Sequence, residues 1–74
     1  MVSISARELQ PRVQTALRNS PIHELRGLRV EPSDEGLLIS GEVSSFYHKQ
    51  LAQEAVRSLC EDTQVDLVNL IRVR

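Results

Sequence analysis

The segment Leu37-Leu38-Ile39-Ser40-Gly41-Glu42-Val43-Ser44-Ser45 constrains the fold of this chain more than any other stretch. Leu37, Ile39 and Val43 alternate with other residues, the pattern of a strand with one buried face. Gly41 occupies the inward slot between Ile39 and Val43, and a glycine there marks a bulge or a close backbone approach. Ser44 and Ser45 open a helical pattern, because a serine hydroxyl accepts a bond from an unpaired amide at a helix start. Nine residues thus specify a strand that turns directly into a helix packed back on it.

The remaining elements follow from spacing. Ser5 and Glu8 form a capping-box pattern, and Leu9, Val13, Ala16 and Leu17 recur at helical intervals. Pro11 fits a helix only in its first turn or at a kink, so the first helix is predicted from Ser5 or Gln10 to Arg18. Asn19-Ser20-Pro21 closes it. Leu25, Leu28 and Val30 lead into a first strand. Pro32-Ser33-Asp34-Glu35-Gly36 reads as the turn of a hairpin with the second strand. From Ser45 to Cys60, Tyr47, Leu51, Ala52, Ala55, Val56 and Leu59 make one wide apolar helical face. The small Ala52 and Ala55 are expected to let that helix lie close to the strand around Gly41. After an exit loop at 61–64, Val65, Leu67, Ile71 and Val73 alternate through a last strand, with Asn69 on the same parity.

This order, α-β-β-α-β, predicts an α+β two-layer sandwich: a three-stranded mixed sheet with two helices on one face. The hairpin makes strands one and two antiparallel, and a right-handed crossover makes two and three parallel. Leu37-Leu38-Ile39 is apolar on both faces, which favours the second strand as the central one, in order 1-2-3. The opposite parity then lines the uncovered face, with Arg29 and Glu31, then Leu38, Ser40 and Glu42, then Asp66, Val68, Leu70 and Arg72. Leu38, Val68 and Leu70 read either as ordinary scattered surface apolars or as a partner surface flanked by Arg29 and Arg72. The last strand also offers an edge for pairing with another chain.

Composition narrows the function classes. Seventy-four residues make one small domain, 1–74. A formal charge of −1 gives no general attraction to nucleic acid or anionic lipid. Phe46 and Tyr47 are the only aromatics, which leaves no stacking platform for single strands. Cys60 stands alone, so no disulfide closes within the chain, and it reads as a small buried apolar residue. His23 and His48 are not paired at metal-ligand spacing and read as solvated surface residues. No nucleophile elbow or phosphate-cradling glycine loop occurs. The chain reads as a non-enzyme with no cofactor, no metal and no catalytic residue. No signal peptide or transmembrane run occurs in it, so it reads as cytoplasmic as given, or periplasmic if it is a piece of a longer exported protein.

Leu37-x-Ile39-x-Gly41-x-Val43-x-Ser45, with Ala52 and Ala55 downstream and the ending Val68-Asn69-Leu70-Ile71-Arg72-Val73, resembles the BON domain family. The likeness runs from about Val13 to Val73, and the run Ser44 to Val56 resembles short BON-like proteins of planctomycete-type bacteria. Thr63-Gln64 stands where many of the family have Gly-Val. The resemblance implies a non-catalytic module found near membranes and in bacterial envelope proteins. It implies structural roles for Gly41, Ser45, Ala52 and Ala55. Two functions are expected from it and from the residues. One is binding of a protein partner or a second copy through the exposed sheet face or edge, at Leu38, Val68, Leu70, Arg29 and Arg72. The alternative is peripheral binding to anionic phospholipid through Arg7, Arg12, Arg18 and Arg26, with Arg29, Arg72 and Arg74 in support. No nucleic-acid partner is expected.

Overall fold

The computed structural model describes residues 4–74. Helix α1 spans Ala6–Arg18 and opens on a complete capping box. Ser5 Oγ accepts from the Glu8 N–H at 3.2 Å, and the Glu8 carboxylate accepts from the Ser5 N–H at 3.4 Å, so two otherwise unpaired donors are satisfied reciprocally. Pro11 lies in the second turn, and the helix continues through it. The ring removes the donor that the Arg7 carbonyl would otherwise receive; both residues are exposed, so water can take its place. Leu9, Val13 and Leu17 are buried, whereas Ala16, expected in the same stripe, is exposed.

A 3₁₀ turn at His23–Gly27, not expected from spacing, buries Leu25 between α1 and the sheet. Strands β1, Arg29–Ser33, and β2, Gly36–Val43, form the hairpin. The turn is shorter than predicted. Pro32 and Ser33 pair with Leu37 and Gly36, leaving only Asp34-Glu35 as the connection. Pro32 is tolerated in a strand because β1 lies at the sheet edge, where a missing N–H breaks no ladder bond.

Helix α2 spans Phe46–Cys60, with Ser45 as N-cap accepting from the His48 N–H at 3.2 Å. Its buried stripe is Ala52, Val56 and Cys60. Tyr47, Ala55 and Leu59, expected on the apolar face, are exposed, because one sheet and one flanking helix cover only a narrow sector of α2. Strand β3 spans Leu67–Val73. Val65 precedes it and packs half-buried against the core. Thr63 shapes the connection, donating from Oγ1 to the Cys60 carbonyl at 2.7 Å and accepting from the Val65 N–H at 3.1 Å.

The strand order is β1-β2-β3, with β1 and β2 antiparallel and β2 and β3 parallel. This is the predicted α-β-β-α-β mixed sheet. Leu37, Ile39 and Val43 are fully buried on one face of the central strand, each worth about 1.5–3 kcal/mol on leaving water.

Two glycines carry backbone constraints. Gly36, at φ 137°, sits where a Cβ would run into the Asp66 carbonyl at the entry to β3. That carbonyl accepts from the Leu37 N–H at 2.9 Å, which starts the parallel ladder. Gly41, at φ 130°, has its inward slot filled by a Leu28 methyl, 2.8 Å from an added Cβ. The close approach at Gly41 therefore comes from the segment entering β1 and not from α2 through Ala52 and Ala55. The expectation is corrected because Leu28 is buried beneath Gly41 while Ala55 is exposed.

The two glycines should differ in tolerance. Gly36→Ala meets a backbone carbonyl that cannot move without parting β2 from β3, and is expected to cost on the order of 3 kcal/mol. Gly41→Ala meets the end of a flexible side chain and should cost about 1–2 kcal/mol. Urea unfolding of both variants tests the order.

Candidate interaction surface

The helices pack against one face of the sheet, and the register aligns side chains across the other. Glu31, Leu38 and Val68 lie in one row, Arg29, Ser40 and Leu70 in the next, and Glu42 beside Arg72 in the third. Leu38 therefore stands beside Val68 and diagonal to Leu70. Leu38 and Val68 are half-buried, shielded by each other, and Leu70 is 53% exposed. Arg29, in the row of Leu70, and Arg72, in the row beyond it, are exposed beside the cluster. Small aliphatic patches ringed by charge are the form that docking surfaces take.

The two sheet edges are treated differently. On β1, Gln14 of α1 donates to the Leu28 carbonyl at 2.9 Å and accepts from the Val30 N–H at 3.0 Å, while Gln10 donates to the Val30 carbonyl at 2.9 Å. Pro32 has no N–H to offer. The β1 edge is thus closed to strand addition. Gln10 and Gln14 had a legible signal, since they lie one turn apart beside the buried stripe of α1. On β3, Asp66, Val68, Leu70 and Arg72 share the parity that bonds inward to β2, as the Leu37–Asp66 and Arg74–Val43 bonds at the two ends show. Leu67, Asn69, Ile71 and Val73 direct their amides and carbonyls outward. One of these amides, Ile71 N–H, is met by Asn69 Oδ1 at 3.0 Å, and Asn69 Nδ2 donates to Gln53 of α2 at 2.8 Å.

A third feature lies at the β2–α2 joint. The Glu24 carboxylate accepts from the Ser44 N–H at 2.7 Å and from Ser44 Oγ at 2.6 Å. His48 Nδ1 stands 2.8 Å from Glu24 and 2.8 Å from Ser45 Oγ, and Arg74 stands 3.7 Å from Glu24. The reading of His48 as a solvated surface residue is corrected: it is partly buried against Glu24. No local spacing announces this pairing, because Glu24 and His48 belong to different elements that only the tertiary fold brings together. His23, by contrast, is exposed. The Ser44 hydroxyl holds the Glu24 carboxyl below its ordinary value; partial burial opposes this, and the Ser44 amide, His48 and Arg74 add to the lowering. An anion at the start of α2 also suits the helix dipole. The cluster joins the 3₁₀ turn, the start of α2 and Arg74.

The arginines do not share one plane. On α1, Arg7 and Arg18 project within about 20° of each other and Arg12 about 140° away, so they flank opposite sides of the buried stripe. Arg26 is tied to the Ser20 carbonyl at 2.8 Å. Arg29 and Arg72 lie on the opposite, uncovered face of the sheet. Of the remaining predicted residues, Ser45 caps α2, Ala52 is buried under it, and Ala55 lines a shallow apolar groove between α1 and α2 with Ala16, Leu25 and Leu59. Cys60 is buried, and burial pushes its thiol up from its ordinary value. No helix among the described residues is long and apolar enough to cross a membrane. Among the same residues no group of three or more His, Cys, Asp or Glu stands close enough to hold a metal ion.

The sequence profile described as BON domain matches residues 5–74. The chain belongs to the BON domain family. BON domains are non-catalytic binding modules, and the match spans every element from the capping box of α1 to the end of β3. No curated protein and no solved structure matches the chain.

The Glu24 cluster makes this BON domain sensitive to acid in a defined direction. A carboxyl whose folded pKa lies below its unfolded one stabilises the fold above the ordinary carboxylate range, and that contribution is lost as pH falls through the lower folded value. Glu24→Gln should therefore lower the melting temperature near pH 7. The gap from the unsubstituted chain should narrow as pH falls below the ordinary carboxylate range and Glu24 becomes protonated. Thermal unfolding followed by circular dichroism across that range reads both outcomes.

Proposed function

We propose that this BON domain is a docking module that holds a protein partner, another chain or a second copy of itself, on the uncovered face of its sheet. Leu38, Val68 and Leu70 form the apolar centre of the contact, and Arg29 and Arg72 supply its charged rim. The observation that carries this reading is the row alignment, which gathers three aliphatic side chains on a face that no helix covers. Desolvated aliphatic centres with polar rims are where binding energy concentrates at interfaces. No pocket enters the reading, and the Glu24–His48 pair is already engaged with Ser44 and Ser45.

The lipid reading finds less support. A peripheral membrane contact needs basic side chains and exposed apolar ones on one plane, whereas the arginines of this chain fall on both faces of the sandwich.

Leu70→Glu tests the reading. It places a charge at the centre of the patch without touching the buried core, so the melting temperature should stay within about 2 °C. Affinity capture from the source cell, quantified with both forms as bait, should show a protein held at least about tenfold less by the variant. Equal recovery, together with unchanged self-association, overturns the proposal. Sedimentation with anionic vesicles at low salt checks the alternative, and binding lost on substituting Arg7, Arg12 and Arg18 would favour it.

A further inference from the structure

We infer that the partner of this surface is a second copy of the chain, joined by antiparallel pairing of β3 with β3 about a two-fold axis at Asn69. The inference rests on the sheet-face reading and commits it to one occupant and one register.

The first support is that, among the described residues, the sheet has a single open edge. Gln10, Gln14 and Pro32 close β1, while β3 presents the outward backbone groups of Leu67, Asn69, Ile71 and Val73. An open edge of alternating apolar residues is a template for another strand. Outward groups on odd-numbered residues restrict an antiparallel partner to registers that pair odd with odd.

The second support is the self-complementarity of β3. Centred on Asn69, the pairing sets Asp66 opposite Arg72 of the second copy and Arg72 opposite its Asp66, so two unlike-charge pairs bracket the strand. Between them Val68 faces Leu70 and Leu70 faces Val68, which joins the two aliphatic patches into one band across the six-stranded sheet. On the helix side Leu67 faces Ile71, and Asn69 faces its own equivalent on the axis. Shifting the centre to Leu70 puts Arg72 against Val68 and Asn69 against Ile71. Shifting it to Val68 puts Asn69 against Leu67. Only the Asn69-centred register leaves no amide or charge facing an aliphatic side chain, and a lone polar residue is an effective register marker for that reason.

Pairing has one cost at the edge. Ile71 N–H must leave Asn69 Oδ1 for the Leu67 carbonyl of the second copy. That exchanges one hydrogen bond for another, so Asn69 guards the edge weakly in the free chain and marks the axis in the pair.

Charge reversal tests the register. Asp66→Arg and Arg72→Glu alone each oppose two like-charge pairs across the axis, and each should weaken self-association about tenfold by sedimentation equilibrium. An equimolar mixture of the two should form a heterodimer, because both contacts become unlike again. The double variant should dimerise within about threefold of the unsubstituted chain, and it carries the test if either single variant fails to fold. A chain that stays monomeric up to about 1 mM overturns the second-copy inference and leaves the sheet-face reading to Leu70→Glu. A dimer indifferent to the reversals, or reversals that the mixture does not rescue, overturns the β3 pairing while self-association stands.

Discussion

The parallel pairing of β2 with β3 is the constraint on which the rest of this molecule depends. It begins where Gly36 lets the Asp66 carbonyl approach the Leu37 amide and ends where Arg74 N–H reaches the Val43 carbonyl. Every residue of β2 after Gly36 has its neighbour in β3, so the small core is closed by a contact between segments separated by the whole of α2. Such a contact forms only after its loop-closure entropy has been met. The glycine at one end and the Glu24–Arg74 contact at the other hold its two ends in place.

Making β2 central leaves two edges, and their fates differ for reasons of side-chain chemistry. The β1 edge runs beside α1, whose Gln10 and Gln14 supply both donors and an acceptor to the strand. An amide side chain suits that task because it offers both functions at one end. The β3 edge runs beside α2, which contributes Gln53 to Asn69, and Asn69 in turn meets a single backbone amide. The face between the edges carries no helix. The aliphatic cluster and the open edge are therefore contiguous through Val68 and Leu70, which makes one continuous surface of them.

At the opposite end of β2, Glu24 ties the 3₁₀ turn to the start of α2 and to the chain's last residue. A histidine beside a carboxylate invites a catalytic reading. Here both carboxylate oxygens already accept from Ser44, and His48 Nδ1 lies against both Glu24 and Ser45 Oγ. The group works as a clamp that holds the β2–α2 joint in the geometry from which the crossover returns β3 to the sheet.

Local periodicity alone determined the element order, the centrality of Leu37–Val43, and the parity that places Leu38, Val68 and Leu70 on one face, because the strand period of two decides faces without knowledge of partners. It also marked Ser5 with Glu8 and Ser45 as helix starts, since caps are local bonds. Only the tertiary structure decided what fills the space over Gly41, which proved to be Leu28; how little of α2 is covered, so that Tyr47, Ala55 and Leu59 stay exposed; and that Pro11 sits inside a continuous helix. Only it brought Glu24 to His48 and α1's glutamines to the β1 edge. These are contacts between side chains far apart in the chain. Their existence depends on the angles at which helices cross the sheet, and no spacing within a single element encodes those angles.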